Sequence, residues 1–117
     1  MHYALLIWEK HDQRDTVSAA EWEEMMAGHT AWWNEYQPKG KVVSGAGLKD
    51  HTTATTVRDE KGELSVTDGP FVESREVLGG FYVVDCADLD EAIAMARKIP
   101  MRDGEGVEIR PLMEGTG

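Results

Sequence analysis

The sequence predicts an α+β fold: strand–helix–strand, a hairpin, then strand–helix–strand, with two helices on one face of an antiparallel sheet. Three observations carry this prediction. Residues 22–36 and 89–96 repeat their apolar side chains at helical spacing. Residues 2–8 and 78–85 are apolar at alternate and intervening positions alike, as in strands covered on both sides. Between these segments, 53–58 and 63–67 flank a glycine-bearing turn.

His2-Tyr3-Ala4-Leu5-Leu6-Ile7-Trp8 opens the sheet, with Tyr3, Leu5 and Ile7 on one face and Ala4, Leu6 and Trp8 on the other. Residues 9–17 read as a polar loop. Ser18 and Glu21 then have capping-box spacing, which satisfies two orphan amide donors at a helix start. Trp22, Met25, Met26, His29, Trp32, Trp33 and Tyr36 form one continuous stripe, and Pro38 and Gly40 stop the helix. Residues 41–48 read as a strand weakened by glycine at its end. The hairpin turns through Asp59-Glu60-Lys61-Gly62.

Asp68-Gly69-Pro70-Phe71 is a turn, because Pro70 has no N–H for a ladder, and 72–77 reads as a loop. The strand at 78–85 is central. Asp88 caps the second helix, Glu91 follows three residues on, and Leu89, Ala92, Ile93 and Ala96 form its buried stripe. Arg97 and Lys98 complement the helix dipole, and Pro100 ends the segment. Residues 107–112 alternate as a last strand, and Gly115-Thr116-Gly117 reads as a loose tail.

This order is ferredoxin-like. Residues 1–117 contain no linker, repeat or low-complexity tract, and read as one domain. Two helices shelter only one face of such a sheet. The other face keeps apolar side chains from 2–8 and 78–85, and a second copy of the chain, sheet against sheet, covers them. A homodimer is therefore expected.

The formal net charge is −10, from 22 acidic and 12 basic residues. Such a surface repels phosphate backbones and anionic lipid, so neither nucleic acid nor a membrane is an expected partner. No apolar run approaches the roughly 20 residues of a membrane span, and no signal peptide is expected at the N-terminus. The one cysteine, Cys86, reads as a small apolar packer in a reducing compartment, and a cytoplasmic location is the default expectation. His2, His11, His29 and His51 lack metal-ligand spacing, and Gly45-Ala46-Gly47 lacks the third glycine and following helix of a dinucleotide loop. No cofactor or metal is implied. The Trp22, Trp32 and Trp33 stripe is read as core rather than as a haem or flavin pocket.

The segment from Asp68-Gly69-Pro70-Phe71 through Leu78-Gly79-Gly80-Phe81-Tyr82 closely resembles the signature of the DGPF-domain proteins, a branch of the YCII-related family. The opening His2-Tyr3-Ala4-Leu5-Leu6-Ile7, the Thr53-Ala54-Thr55-Thr56-Val57 strand and the Glu108-Ile109-Arg110-Pro111-Leu112 ending resemble it too. The likeness runs from residue 1 to about 112 and implies a dimeric α/β barrel. Some members are linked to extracytoplasmic-function sigma factors, and YCII-like relatives have been proposed as enzymes because a histidine and an aspartate meet in a cleft. Muconolactone isomerases and small monooxygenases are more distant cousins, and fold does not fix function.

His29 lies in the middle of an apolar stripe, so it should face the sheet, where burial and a nearby carboxylate set its pKa near neutrality. Asp68 precedes a glycine–proline turn from which its side chain can project into a cleft. A His29–Asp68 pair would supply an oriented general base. The plainer alternative is a core histidine and an aspartate capping its own turn. Gly69, Pro70 and Phe71 either shape this loop and the core or line a substrate pocket. Gly79-Gly80 reads as a close approach or as a bulge. Arg110 suits a carboxylate substrate or, more commonly, a salt bridge.

Two functions are compatible with these residues. One is a small cofactor-independent enzyme acting on an organic acid through His29, Asp68 and Arg110. The other is a non-catalytic module that binds a small molecule or a regulatory protein such as a sigma factor.

Overall fold

The computed structural model describes residues 1–113, and the glycine-bearing tail at 115–117 lies outside them. β1 (His2–Lys10) leads into a four-residue helix, α1 (Gln13–Thr16), and then into α2 (Ala19–Tyr36). β2 (Val42–Gly47), β3 (Thr55–Glu60), β4 (Glu63–Asp68) and β5 (Glu76–Asp85) follow, then α3 (Leu89–Arg97) and β6 (Gly106–Pro111). The antiparallel main sheet has the order β2-β5-β1-β6, consistent with a ferredoxin-like fold. β3 and β4 do not join it. Among the described residues they pair only with each other, so the hairpin is a second, two-stranded sheet.

Most elements form where local chemistry demands. The Ser18 hydroxyl accepts from Glu21 N at 3.1 Å while the Glu21 carboxylate accepts from Ser18 N at 3.2 Å, completing the capping box. Asp88 caps α3 in the same manner, accepting from Glu91 N at 2.9 Å. α2 gives way at Tyr36 to a 3₁₀ turn containing Pro38, and Gly40 closes it at φ 71°, a conformation cheap only for glycine. The hairpin turn is tighter than expected. Asp59 and Glu60 belong to β3, and Lys61 (φ 54°) and Gly62 (φ 89°) alone make a two-residue turn of the type that matches strand twist.

The core lies between α2, α3 and one face of the main sheet. Tyr3, Leu5, Val84 and Cys86 pack there against Trp32, Ala92, Met95, Ala96 and Ile99. Trp32 donates its indole N–H to Met95 O at 2.8 Å and stacks on Tyr82 with ring centroids 4.2 Å apart. Burial pushes the Cys86 thiol up to about 11, in keeping with a packing role. On the opposite face Ala4, Leu6, Trp8, Leu78, Phe81 and Val83 remain half-buried. No helix among the described residues is long and apolar enough to cross a membrane.

Candidate active site

β5 contains the irregularity on which the site depends. Ile7 pairs with Gly80 and Trp8 with Leu78, so Gly79 is an extra residue without a partner, a β-bulge. A Cβ at Gly79 would stand 2.5 Å from Glu9 Oε1, and the missing side chain is what admits that carboxylate. Gly45 on β2 does the same for Tyr82, whose Cδ1 would lie 2.5 Å from a Cβ there. Glycine at these two positions opens a cavity between α2 and the sheet.

The cavity holds about 310 Å³, the low end of the range for small-molecule sites. Ile7, Trp22, Met25, Met26, Trp33 and Pro100 supply its apolar wall, and Glu9, Gln13, Arg14, His29, Tyr82 and Glu105 its polar groups. The α2 stripe therefore divides. Trp32 is buried in the core, whereas Trp22 and Trp33, read from sequence as core, line the cavity.

His29 faces the sheet as expected, but its partner is Tyr82. A hydrogen bond of 2.7 Å joins His29 Nδ1 and Tyr82 Oη. Burial lowers the pKa of His29 and raises that of Tyr82, so both are neutral at pH 7. A neutral pair can share its proton in two ways. Either Nδ1–H donates to Oη and frees the phenol O–H for a bound molecule, or the phenol donates to Nδ1 and leaves Nε2–H outward. The pair thus presents both a proton donor and an acceptor.

Glu9 and Arg14 form a half-buried ion pair. Arg14 Nε and Nη2 donate to Glu9 Oε1 at 3.1 and 2.9 Å, Nη2 also reaches Gly79 O at 3.4 Å, and the guanidinium lies 5.3 Å from the Trp22 ring centroid. Gln13, on the short helix α1, donates from Nε2 to Glu105 Oε2. Its carbonyl Oε1 is buried without a partner.

The other residues singled out from sequence lie elsewhere. Asp68 ends the hairpin and lines an open depression with His11, His51 and Arg75, separate from the cavity that holds His29. Within the chain the two are not brought together. Gly69, at φ 107°, shapes the loop: its N–H donates to Ala54 O at 2.7 Å and its carbonyl accepts from Thr56 Oγ1 at 2.7 Å. Phe71 is not core. It is 62% exposed, with the Arg58 guanidinium 4.0 Å from its ring centroid, and shares with Pro70, Trp8 and Leu78 a groove at the hairpin base. Arg110 pairs in register with Ala4, hence points to the face away from the helices, and bonds Glu108 at 3.3 Å. An organic acid in the cavity would not meet it.

Sequence reasoning missed Glu9, Gln13, Arg14 and Tyr82. Glu9 was detectable, since it continues the inward parity of Tyr3, Leu5 and Ile7. Tyr82 sits in a strand apolar on both faces and had no signal distinguishing it from core. Among the described residues, no group of three metal-ligating side chains comes together.

The model of the YCII-related domain matches residues 1–116 of the chain. An uncharacterized protein of Rhizobium meliloti (strain 1021) is 39% identical over 114 residues, which cover 96% of this chain and 92% of that protein. A family model spanning nearly the whole sequence, together with a relative this similar along its length, places the chain among the YCII-related domain proteins.

Proposed function

We propose that the cavity under α2 binds a small, mainly apolar molecule and that His29 and Tyr82 move a proton on it, as general acid and base. One observation carries this reading: the 2.7 Å bond between Nδ1 and Oη inside an apolar cavity. A general base must be uncharged to take a proton and a general acid must hold one to give, and burial keeps His29 and Tyr82 in those two forms at pH 7. The reaction class is isomerisation or enolisation next to a carbonyl, in a cytoplasmic setting.

The test is a metabolite-library thermal-shift screen followed by turnover assays on each hit, since a ligand that binds only the folded state raises apparent stability. His29→Ala and Tyr82→Phe should fold and should lower turnover about 10²–10⁴-fold. Equal turnover in folded variants would refute the assignment. Binding without any turnover would support the non-catalytic reading instead.

We also propose that a second copy covers the open face of the sheet. Ala4, Leu6, Phe81 and Val83 are only half-buried there, and apolar patches of this length are rarely left in water. Sedimentation at high concentration tests the idea, and a monomer would dismiss it.

A further inference from the structure

Arg14 lines the cavity with part of its guanidinium unspent. Nε and Nη2 donate to Glu9 Oε1 at 3.1 and 2.9 Å, and Nη2 reaches Gly79 O at 3.4 Å. The N–H groups of Nη1 have no partner among the described residues. Nor is Nη1 sealed off, since the buried side-chain atoms left unpartnered among those residues are Gln13 Oε1 and His51 Nδ1. The fork is planar and rigid. With one edge held by Glu9 and Gly79, and the Trp22 ring centroid 5.3 Å from Cζ, its free corner has little room to swing.

An arginine alone in such a place would draw carboxylates, but this one is already balanced by Glu9 at 2.9 Å. The charges lining the cavity are Glu9 and Glu105 against Arg14, a net of one negative, and His29 and Tyr82, kept neutral by burial, add none. A carboxylate would bring a third negative charge into a half-buried space, and an ammonium would face the Nη1 donors. An uncharged carbonyl oxygen needs only a donor, and Nη1 supplies one.

We propose that the cavity takes an uncharged ketone or aldehyde, its carbonyl oxygen received by Arg14 Nη1 and a C–H beside that carbonyl turned to His29. This rests on the proton-transfer reading and adds the group that holds the charge the step creates. With Nδ1–H donated to Tyr82, His29 Nε2 keeps a free electron pair and takes the proton. The C–H pair becomes a carbon–carbon double bond, the carbonyl π pair moves onto oxygen, and the enolate charge grows against Nη1. Return of the proton from Nε2 to the same carbon is exchange; return to another carbon of a conjugated enolate is isomerisation. No oxidant or reductant is consumed. Arg14 favours the enolate over the ketone because a charged acceptor makes the shorter and stronger hydrogen bond.

Two probes of one skeleton test this, 4-phenylbutan-2-one and 3-phenylpropionate. Titration calorimetry at pH 7.5 reads affinity, the NMR shift of the His29 ring reads location, and proton NMR in D2O reads loss of the hydrogens beside the carbonyl. The ketone should bind more tightly than the carboxylate, move the His29 ring and exchange faster than in buffer. Arg14→Lys keeps a cation for Glu9 but has no second nitrogen to offer. It should slow exchange at saturating ketone about 10²–10³-fold, with a much smaller change in ketone affinity. Should that variant fail to fold, the Glu9→Met, Arg14→Met double variant removes the ion pair whole and should lose as much.

Exchange that His29→Ala abolishes and neither Arg14 variant slows overturns the role of Arg14 and leaves the proton-transfer reading standing. Binding of the carboxylate as tight as that of the ketone overturns the uncharged class. A ketone that fails to bind, or binds without exchange, overturns the inference outright. The proton-transfer reading falls with it only if the metabolite screen also yields no turnover.

Discussion

Replacing Gly79 by alanine isolates the contact that shapes the cavity floor. The backbone of Gly79 is not in the left-handed region, so alanine carries no conformational penalty and would by itself reduce unfolded-chain entropy. The obstacle is Glu9. The new Cβ would lie 2.5 Å from Oε1 and 2.8 Å from Cδ, where ordinary van der Waals contact begins at 3.4 Å. Glu9 cannot retreat freely, because Oε1 is held 2.9 Å from Arg14 Nη2. Overpacking of this kind costs about 1–3 kcal/mol, or a loss of roughly 1 M in urea midpoint for a domain of this size. Tryptophan fluorescence measures it directly. In a Glu9→Ala background the obstructing carboxylate is gone, and Gly79→Ala should become neutral or stabilising by about 0.4–1 kcal/mol. If alanine costs the same in both backgrounds, the Glu9 contact is not what keeps residue 79 small.

Three further outcomes are expected. Burial holds the His29 pKa below its ordinary value, so between that lowered pKa and about 6.5 the unfolded chain binds the extra proton. Its contribution to stability is complete above about pH 6.5 and is lost as pH falls; His29→Gln should flatten this slope in denaturation curves taken from pH 5 to 8, and an unchanged slope would refute it. Ser18→Ala removes one half of the capping box and should cost about 1 kcal/mol, seen as a thermal midpoint lower by several degrees. Cys86, with its thiol pushed up to about 11, should resist iodoacetamide at pH 8 in the folded protein and react quickly in denaturant; rapid labelling of the folded form would show that the thiol is not buried as described.

The main-chain architecture was largely legible because it follows from short-range chemistry. The capping box at Ser18 and Glu21, the cap at Asp88 and the stops at Pro38 and Gly40 stand where local chemistry put them, and the two doubly apolar strands form as expected, although β1 runs on through Glu9 and Lys10 and β5 begins earlier, at Glu76. What escaped was set by distant partners. Residues 13–16 look like loop and form a short helix whose Gln13 is buried through Glu105, 92 positions away. The cavity itself exists because two glycines leave room for Glu9 and Tyr82, and each of those contacts crosses between strands. His29 was singled out by its apolar surroundings, but whether its partner would be an aspartate or a tyrosine depended on register between strands, which periodicity does not encode.

The separateness of the β3–β4 ribbon has a consequence for how the molecule breathes. It shares no ladder with the main sheet, and Val57, Leu64 and Val66 on one of its sides stay largely in water. A lone two-stranded ribbon is marginal in water. Its amides should therefore exchange with deuterium well before those of β1 and β5, and its opening need not disturb the His29 pocket. The Lys61–Gly62 tip is the natural place to graft a reporter peptide, since the main sheet and its helices would not register the insertion.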